Sequence, residues 1–247
     1  WLTQGPNVIN FEKSLNKYFG GKYCSVVSNG TNALFLAGKV LGWKKKDIVI
    51  TTPITFLATV NSIEYNNSTP DFVDINMKDY NLDVNILEDK IKKYRGNKKK
   101  IKAVIAVDYA GQPCDWQSLR YLANKYNFQL VNDNCHALGS SYLKNKKYST
   151  KYADLVIQSF HAVKNITSGE GGAILTNNKY FDTQIKNLRT HGIIRDKKIL
   201  KNYHGDWYYE MHKLGFNYRL SDIHCALGIS QLKKLDNFVN KKRLIAK

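Results

Sequence analysis

The chain has 247 residues, 43% of them hydrophobic and 12% aromatic, which suits one large folded domain or a domain plus a fragment and excludes a disordered chain. Its 38 Lys and Arg against 20 Asp and Glu give a formal net charge of +18, which raises nucleic-acid binding as an idea. The split into 32 Lys and only 6 Arg speaks against that, because Arg is the favoured reader of bases and phosphates; with 25 Asn alongside, the excess reads as a solvated surface that still attracts anionic metabolites.

Pro6 to Phe19 spaces Phe11, Leu15, Tyr18 and Phe19 on one face of a helix, ended by Gly20-Gly21. Tyr23 to Val27 reads as a strand, followed by the turn Ser28-Asn29-Gly30-Thr31 and a helix from Asn32 to Leu41. Asp47 to Thr51 is the next strand and Thr55 to Tyr65 the next helix, and Phe72 to Ile75 is short and extended. Asp83 caps a helix that fades into a basic turn from Arg95 to Lys100. Ile101 to Val107 is the clearest buried strand, short, β-branched and nearly continuous in apolar character. A helix (Asp115 to Tyr126) and strands at Phe128 to Val131, Leu155 to Phe160 and Ala173 to Thr176 follow, then a helix from Lys179 to Thr190. Arg195 to Lys213 shows no period and reads as a long loop, and one helix runs from Ser221 to the end. Strands alternating with helices predict an α/β fold, with a mostly parallel sheet covered on both faces.

Ligands of such sheets bind beyond the carboxyl ends of the strands, and three strands end there in suggestive residues. Ser28-Asn29-Gly30-Thr31 opens a helix with small residues and exposed backbone N–H groups, which suits a phosphate and equally suits an ordinary capped helix. Asp133 ends an apolar strand, where a buried carboxylate needs a positive partner; a protonated pyridine nitrogen, a capping role, or last a metal shared with His136 are the alternatives. The run Ser159 to Gly172 sets Lys164 between Ser-Phe-His and a polar, glycine-rich turn. An amine drawn out of water holds its proton less tightly, and the neutral amine attacks carbonyls. Lys164 is therefore a candidate Schiff-base lysine, or a surface lysine at a strand-to-turn junction. Anion turn, strand-end Asp, Ser159 and Lys164 together supply what a pyridoxal phosphate needs.

Cys24, Cys114, Cys135 and Cys225 lie far apart with no CxxC pair, so neither a disulfide framework nor a metal site is expected, and a reducing cytoplasm fits. No apolar run approaches the ~20 residues of a membrane span, and no stretch reads as a signal peptide. Both ends of the chain read as cut rather than natural.

The chain resembles the DegT/DnrJ/EryC1/StrS family of PLP-dependent sugar aminotransferases. The resemblance rests on Thr3 to Pro6, Ser28 to Leu34, Thr52 to Phe56, Asp133 to Gly139, Ser159 to Gly172 and Gly215 to Asp222. Within the family, the Cys-His-Ala-Leu-Gly run, the His-x-Val-Lys window and Trp207 to Glu210 look most like the branch that makes UDP-4-amino sugars for pseudaminic acid. The resemblance implies a fold-type I architecture, with residues 1–215 as a large PLP-binding domain and 216–247 as the start of a small C-terminal domain. It makes Lys164 the lysine that binds the cofactor and shuttles protons, and Asp133 the partner of the pyridinium nitrogen. His136 is then placed near the ring oxygen or Asp133, and Phe56 stacks on the ring. Gly30, Thr31, Asn32 and Ser159 bind the phosphate, and Asn217 reaches the phosphate of a neighbouring subunit in a homodimer. The reaction implied moves an amino group from L-glutamate to C4 of a UDP-linked 4-keto-6-deoxy sugar, with no nucleic acid, membrane or metal involved. The alternatives are a C3 aminotransferase or sugar dehydratase of the family, and a non-catalytic regulatory or nucleic-acid-binding relative. Family dehydratases carry histidine in place of the lysine, so Lys164 favours transamination. Family members are longer, and the parts that contribute substrate contacts lie outside this chain.

Overall fold

A computed structural model describes residues 1–96 and 101–246, so the expected basic turn from Arg95 to Lys100 lies, from residue 97 on, outside the described residues. The chain opens with α1 (Pro6–Phe19), β1 (Tyr23–Val27), α2 (Gly30–Val40), β2 (Ile48–Thr51), α3 (Leu57–Tyr65) and β3 (Thr69–Phe72). It continues with α4 (Val84–Gly96), β4 (Ile101–Val107), α5 (Trp116–Tyr126), β5 (Gln129–Asp133), the single turn α6 (Ser149–Tyr152) and β6 (Leu155–Ser159). The last part holds β7 (Gly172–Thr176), α7 (Lys179–Leu188), β8 (Ile193–Ile194), β9 (Glu210–Met211), α8 (Asp222–Leu232) and α9 (Leu235–Ile245).

Seven strands form one sheet in the order β1-β7-β6-β5-β4-β2-β3. β3, β2, β4, β5 and β6 pair in parallel, and β7 runs antiparallel to both β6 and β1. The reversal follows from the connection. Only Phe160 to Gly171 joins β6 to β7, without the helix that a parallel crossover uses. Side chains alternate along the strands between two fully buried layers. Val26, Ile50, Val104, Leu130 and Val156 belong to one apolar cluster, and Val27, Val49, Ile105, Val131 and Ile157 to the other. Each such side chain contributes about 1.5–3 kcal/mol by leaving water, which explains why these strands read as continuous apolar runs.

Four local differences from the sequence expectation have physical causes. The extended piece placed at Phe72 to Ile75 is centred earlier, at Thr69–Phe72, because these four residues pair in register with Ile48–Thr51. The stretch Arg195 to Lys213 is not wholly loop, since Glu210–Met211 pairs antiparallel with Ile193–Ile194; two-residue strands carry no period to read. The turn α6 was not foreseen, four residues being too few for a helical pattern. The terminal helix is two helices, broken at Lys233-Lys234, with Leu232 and Leu235 both buried on either side of the bend.

The beginning and end of the chain are stitched together. Gly5 caps α1 without a side chain, and Asp222 of α8 supplies the missing acceptor: its Oδ1 takes the N–H groups of Asn7 (2.8 Å) and Val8 (3.2 Å). Arg189, buried, donates to Glu12 and to the Val26 carbonyl, and Glu12 accepts the Val26 N–H at 3.1 Å. This ties the end of β1, and so the turn that follows it, to α1 and α7.

Candidate active site

A cavity of ≈ 540 Å³ opens at the carboxyl ends of β1, β4, β5 and β6, a volume suited to a cofactor-sized ligand. Seven of the expected residues line it: Gly30, Thr31, Phe56, Asp133, His136, Ser159 and Lys164. Asn32 and Asn217 do not. Asn32 turns its amide onto Ser28 Oγ at 2.8 Å, while its backbone N–H donates to Asn29 Oδ1. Asn217 lies exposed on an isolated bridge to Thr190, between Phe216 and Tyr218, whose rings stack at 4.9 Å and both pack against Phe35 of α2.

The anion turn is built by close approach. Asn29 caps α2 with its own side chain. The Gly30 and Thr31 N–H groups at the helix start donate to no protein acceptor among the described residues. A Cβ on Gly30 would stand 2.9 Å from Ser159 Cβ, and one on Gly172 would stand 2.4 Å from the Asn29 carbonyl. Only glycine lets β7 and Ser159 come this near the turn, which brings two free amides and one hydroxyl to the same end of the cavity.

Asp133 is only 4% exposed. Its carboxylate accepts from Thr59 Oγ1 at 2.7 Å and from the Cys135 N–H at 3.3 Å, and forms no ion pair among the described residues. A buried carboxylate without a cation is costly, so this geometry suits a cationic ligand atom in the cavity. The strand end is held from behind by Asp108, fully buried, which accepts from Asn134 (2.7 Å), Asn132 (3.2 Å), Tyr148 (2.6 Å), Trp116 (2.9 Å) and the Cys114 N–H (2.9 Å). Burial still pushes the Asp108 carboxyl above the ordinary carboxylate range, against those hydrogen bonds.

Lys164 is half-buried on the β6–β7 loop, its N–H bonded to the His161 carbonyl at 2.9 Å. Burial, and then the nearby Lys164 charge, lower the His136 imidazole below its ordinary value, which favours the neutral ring. Burial and the adjacent Asp133 push the Cys135 thiol up, so it stays protonated and unreactive. Phe56, the residue before α3, is 67% exposed at the mouth. His161 and Glu170 face one another there at 3.7 Å.

Sequence reasoning passed over Thr55, Thr59, Cys135, His161 and Glu170. The four-residue spacing of Thr55 and Thr59 at a helix start was the available signal for that pair. Among the described residues, no group of three or more His, Cys, Asp or Glu side chains could hold a metal ion, which leaves Asp133 and His136 without a third ligand. No described helix is long and apolar enough to cross a membrane.

These residues fit a phosphate at the turn, a ring cation at Asp133 and a carbonyl at Lys164. The chain is 46% identical over 244 residues to the UDP-4-amino-4,6-dideoxy-N-acetyl-beta-L-altrosamine transaminase of Campylobacter jejuni, covering 99% of this chain and 61% of that protein. Among solved structures it matches PseC of Helicobacter pylori, an aminotransferase of pseudaminic acid biosynthesis, with a TM-score of 0.82 and 35% identity over 95% of this chain and 59% of the other. It also matches NtdA of Bacillus subtilis, solved with bound PMP cofactor, with a TM-score of 0.81 and 29% identity over 96% of this chain and 50% of the other. The chain thus spans about three fifths of the length of the curated relatives it matches. The model of the DegT/DnrJ/EryC1/StrS aminotransferase family matches residues 1–247, and the chain belongs to that family.

Proposed function

We propose that this chain forms the cofactor-binding part of a pyridoxal-phosphate-dependent aminotransferase that places an amino group on a nucleotide-linked keto sugar. The observation that carries the reading is Asp133: a buried carboxylate without a cation, in the wall of the cavity that also holds Lys164 and the free amides of the anion turn. When bound, the cofactor supplies an aldehyde that takes up amines and a ring that withdraws electrons. The chain's own residues do the rest. Gly30, Thr31 and Ser159 hold the phosphate, with Asn32 stiffening the turn beneath it. Asp133 keeps the ring nitrogen protonated by offering it a fixed negative partner. His136, its neutral form favoured, would sit near the ring oxygen or Asp133, and Phe56 would cover one face of the ring. Lys164 would anchor the aldehyde and, as acid and base, carry the proton between the substrate carbon that gains or loses the amino group and the cofactor carbon.

The finer reading takes L-glutamate as donor and C4 of a UDP-linked 4-keto-6-deoxy sugar as acceptor. Glutamate leaves as 2-oxoglutarate and the ketone becomes an amine, with no net gain or loss of water. The 46% identity to a UDP-amino-sugar transaminase supports this substrate class. Asn217, exposed and not among the residues lining its own cavity, is assigned to the phosphate of a neighbouring copy, which makes the enzyme a homodimer. Residues 216–247 lead into a smaller second domain, and the enzyme works in the cytoplasm on soluble substrates.

Borohydride reduction of the natural protein followed by peptide mapping tests the reading: the cofactor label is expected on Lys164. A label on another lysine, or none, sinks the assignment. NMR of the product formed from a UDP-4-keto sugar and glutamate is expected to show the new amine on C4; an amine on C3 overturns the finer assignment alone.

A further inference from the structure

The chain entering α3 carries more than Phe56. Thr55, two residues before α3, and Thr59, within it, stand four residues apart with their hydroxyl oxygens 2.8 Å from one another. Thr59 Oγ1 is 2.7 Å from Asp133 Oδ2. An ionised carboxylate only accepts, so the Thr59 proton goes to Asp133 and the Thr59 oxygen is left to accept from Thr55. Distance alone leaves the direction of the Thr55–Thr59 bond open, and the carboxylate sets it. Thr59 is 0% exposed, so water does not compete for its hydroxyl, and its bond to a charged partner is of the stronger kind. The other carboxylate oxygen is held more loosely, by the Cys135 N–H at 3.3 Å. The rotation of the Asp133 carboxylate therefore depends chiefly on α3, the helix that Phe56 immediately precedes.

We propose that Thr59 is a positioning residue for Asp133: its hydroxyl, oriented by Thr55, fixes the carboxylate in the rotation that meets a ring-nitrogen cation in the cavity. The inference rests on the cofactor assignment above. It makes α3 a common support for two contacts to the same ring, one to its edge and one to its face. A hydroxyl that merely satisfied a buried carboxylate would affect folding and leave the cofactor's ring nitrogen as it was.

The test uses the whole natural protein, stripped of cofactor and titrated with pyridoxal phosphate labelled with 15N in the ring. Thr59→Val keeps the shape and removes the hydroxyl; Thr59→Ser keeps the hydroxyl; Thr55→Val and Asp133→Ala complete the set, with melting curves of the stripped proteins to show that each is folded. Thr59→Val is expected to weaken the cofactor Kd by about ten- to a hundredfold, the range for a hydrogen bond to a charged group, and to move the ring-nitrogen signal toward the unprotonated form. Thr59→Ser is expected to restore both, and Thr55→Val to show a smaller change in the same direction. If Thr59→Val binds like wild type with an unmoved ring-nitrogen signal while Asp133→Ala loses both, the inference is overturned and the cofactor assignment stands. A Ser variant as impaired as Val also overturns it, because the hydroxyl is then not the cause. Wild-type affinity in Asp133→Ala takes down the cofactor assignment and this inference together.

Discussion

His136 belongs at once to the strand-end turn and to the cavity, and its protonation is set by both. Burial and the Lys164 charge hold its imidazole below the ordinary value of 6.5 in the folded chain. Above pH 6.5 both folded and unfolded forms carry a neutral ring, and this residue adds no pH dependence. As pH falls below 6.5 the unfolded chain takes up the proton first, so the folded state loses stability until pH passes below the lowered folded value. Thermal unfolding of wild type and His136→Gln at pH 7.5 and 5.5 checks the sign: the variant is expected to lose less stability on acidification. Equal losses would show that the ring titrates alike in both states. At this scale most of the site was legible in the sequence. Gly30, Asp133, Ser159 and Lys164 stand at strand ends, where burial and chain direction give each an unusual position. Thr59 was illegible for the opposite reason, since a threonine inside a helix looks like any other until the fold brings Asp133 to it from β5, two strands along from β2 in the sheet order.

Elements with a strong pattern were found at their observed places: α1 from its apolar face and β4 from its β-branched run, while α5, expected from Asp115, starts one residue later because Asp115 caps it by accepting the Ser118 N–H. What escaped was structure made by contacts distant in sequence. The β8–β9 pairing and the short α6 are too brief to carry a period, and the bend between α8 and α9 is set by the burial of Leu232 and Leu235 on either side of it. The cap of α1 is the clearest case. Gly5 has no side chain to offer, and the acceptor comes from Asp222 on α8, 3% exposed. Asp222→Ala leaves two helix N–H groups and the Asn7 amide without their acceptor, and is expected to cost about 2–3 kcal/mol in urea unfolding. A loss below about 0.5 kcal/mol would mean that solvent caps the helix as well as the carboxylate does.

Across the whole molecule the sheet brings together residues that the chain keeps apart. Strand β1 lies at one edge and reaches the rest of the sheet only through β7, so the anion turn joins the site from more than half the chain away from Ser159. The +18 charge surrounds this site without entering it as a basic cluster; Lys164 is the only lysine or arginine in the cavity wall among the described residues. Composition therefore described the surface and was silent about the pocket.

The reversed direction of β7 also has a temporal consequence. Ser159 and Lys164 lie on one tight excursion that both begins and ends in neighbouring strands, a closure of short contour length that forms cheaply and early. The anion turn can dock only after β1 has found β7 across a long stretch of chain, and such non-local pairings are slow to form. Refolding from urea in the presence of pyridoxal phosphate should then show two clocks: tryptophan fluorescence recovering first, and cofactor absorbance following with a lag. A single shared rate would mean that the edge strand is in place from the start. With the lag, the ligand acts as the final clasp on the slowest join, and holoprotein should resist proteolysis at the β1 edge longer than the stripped form.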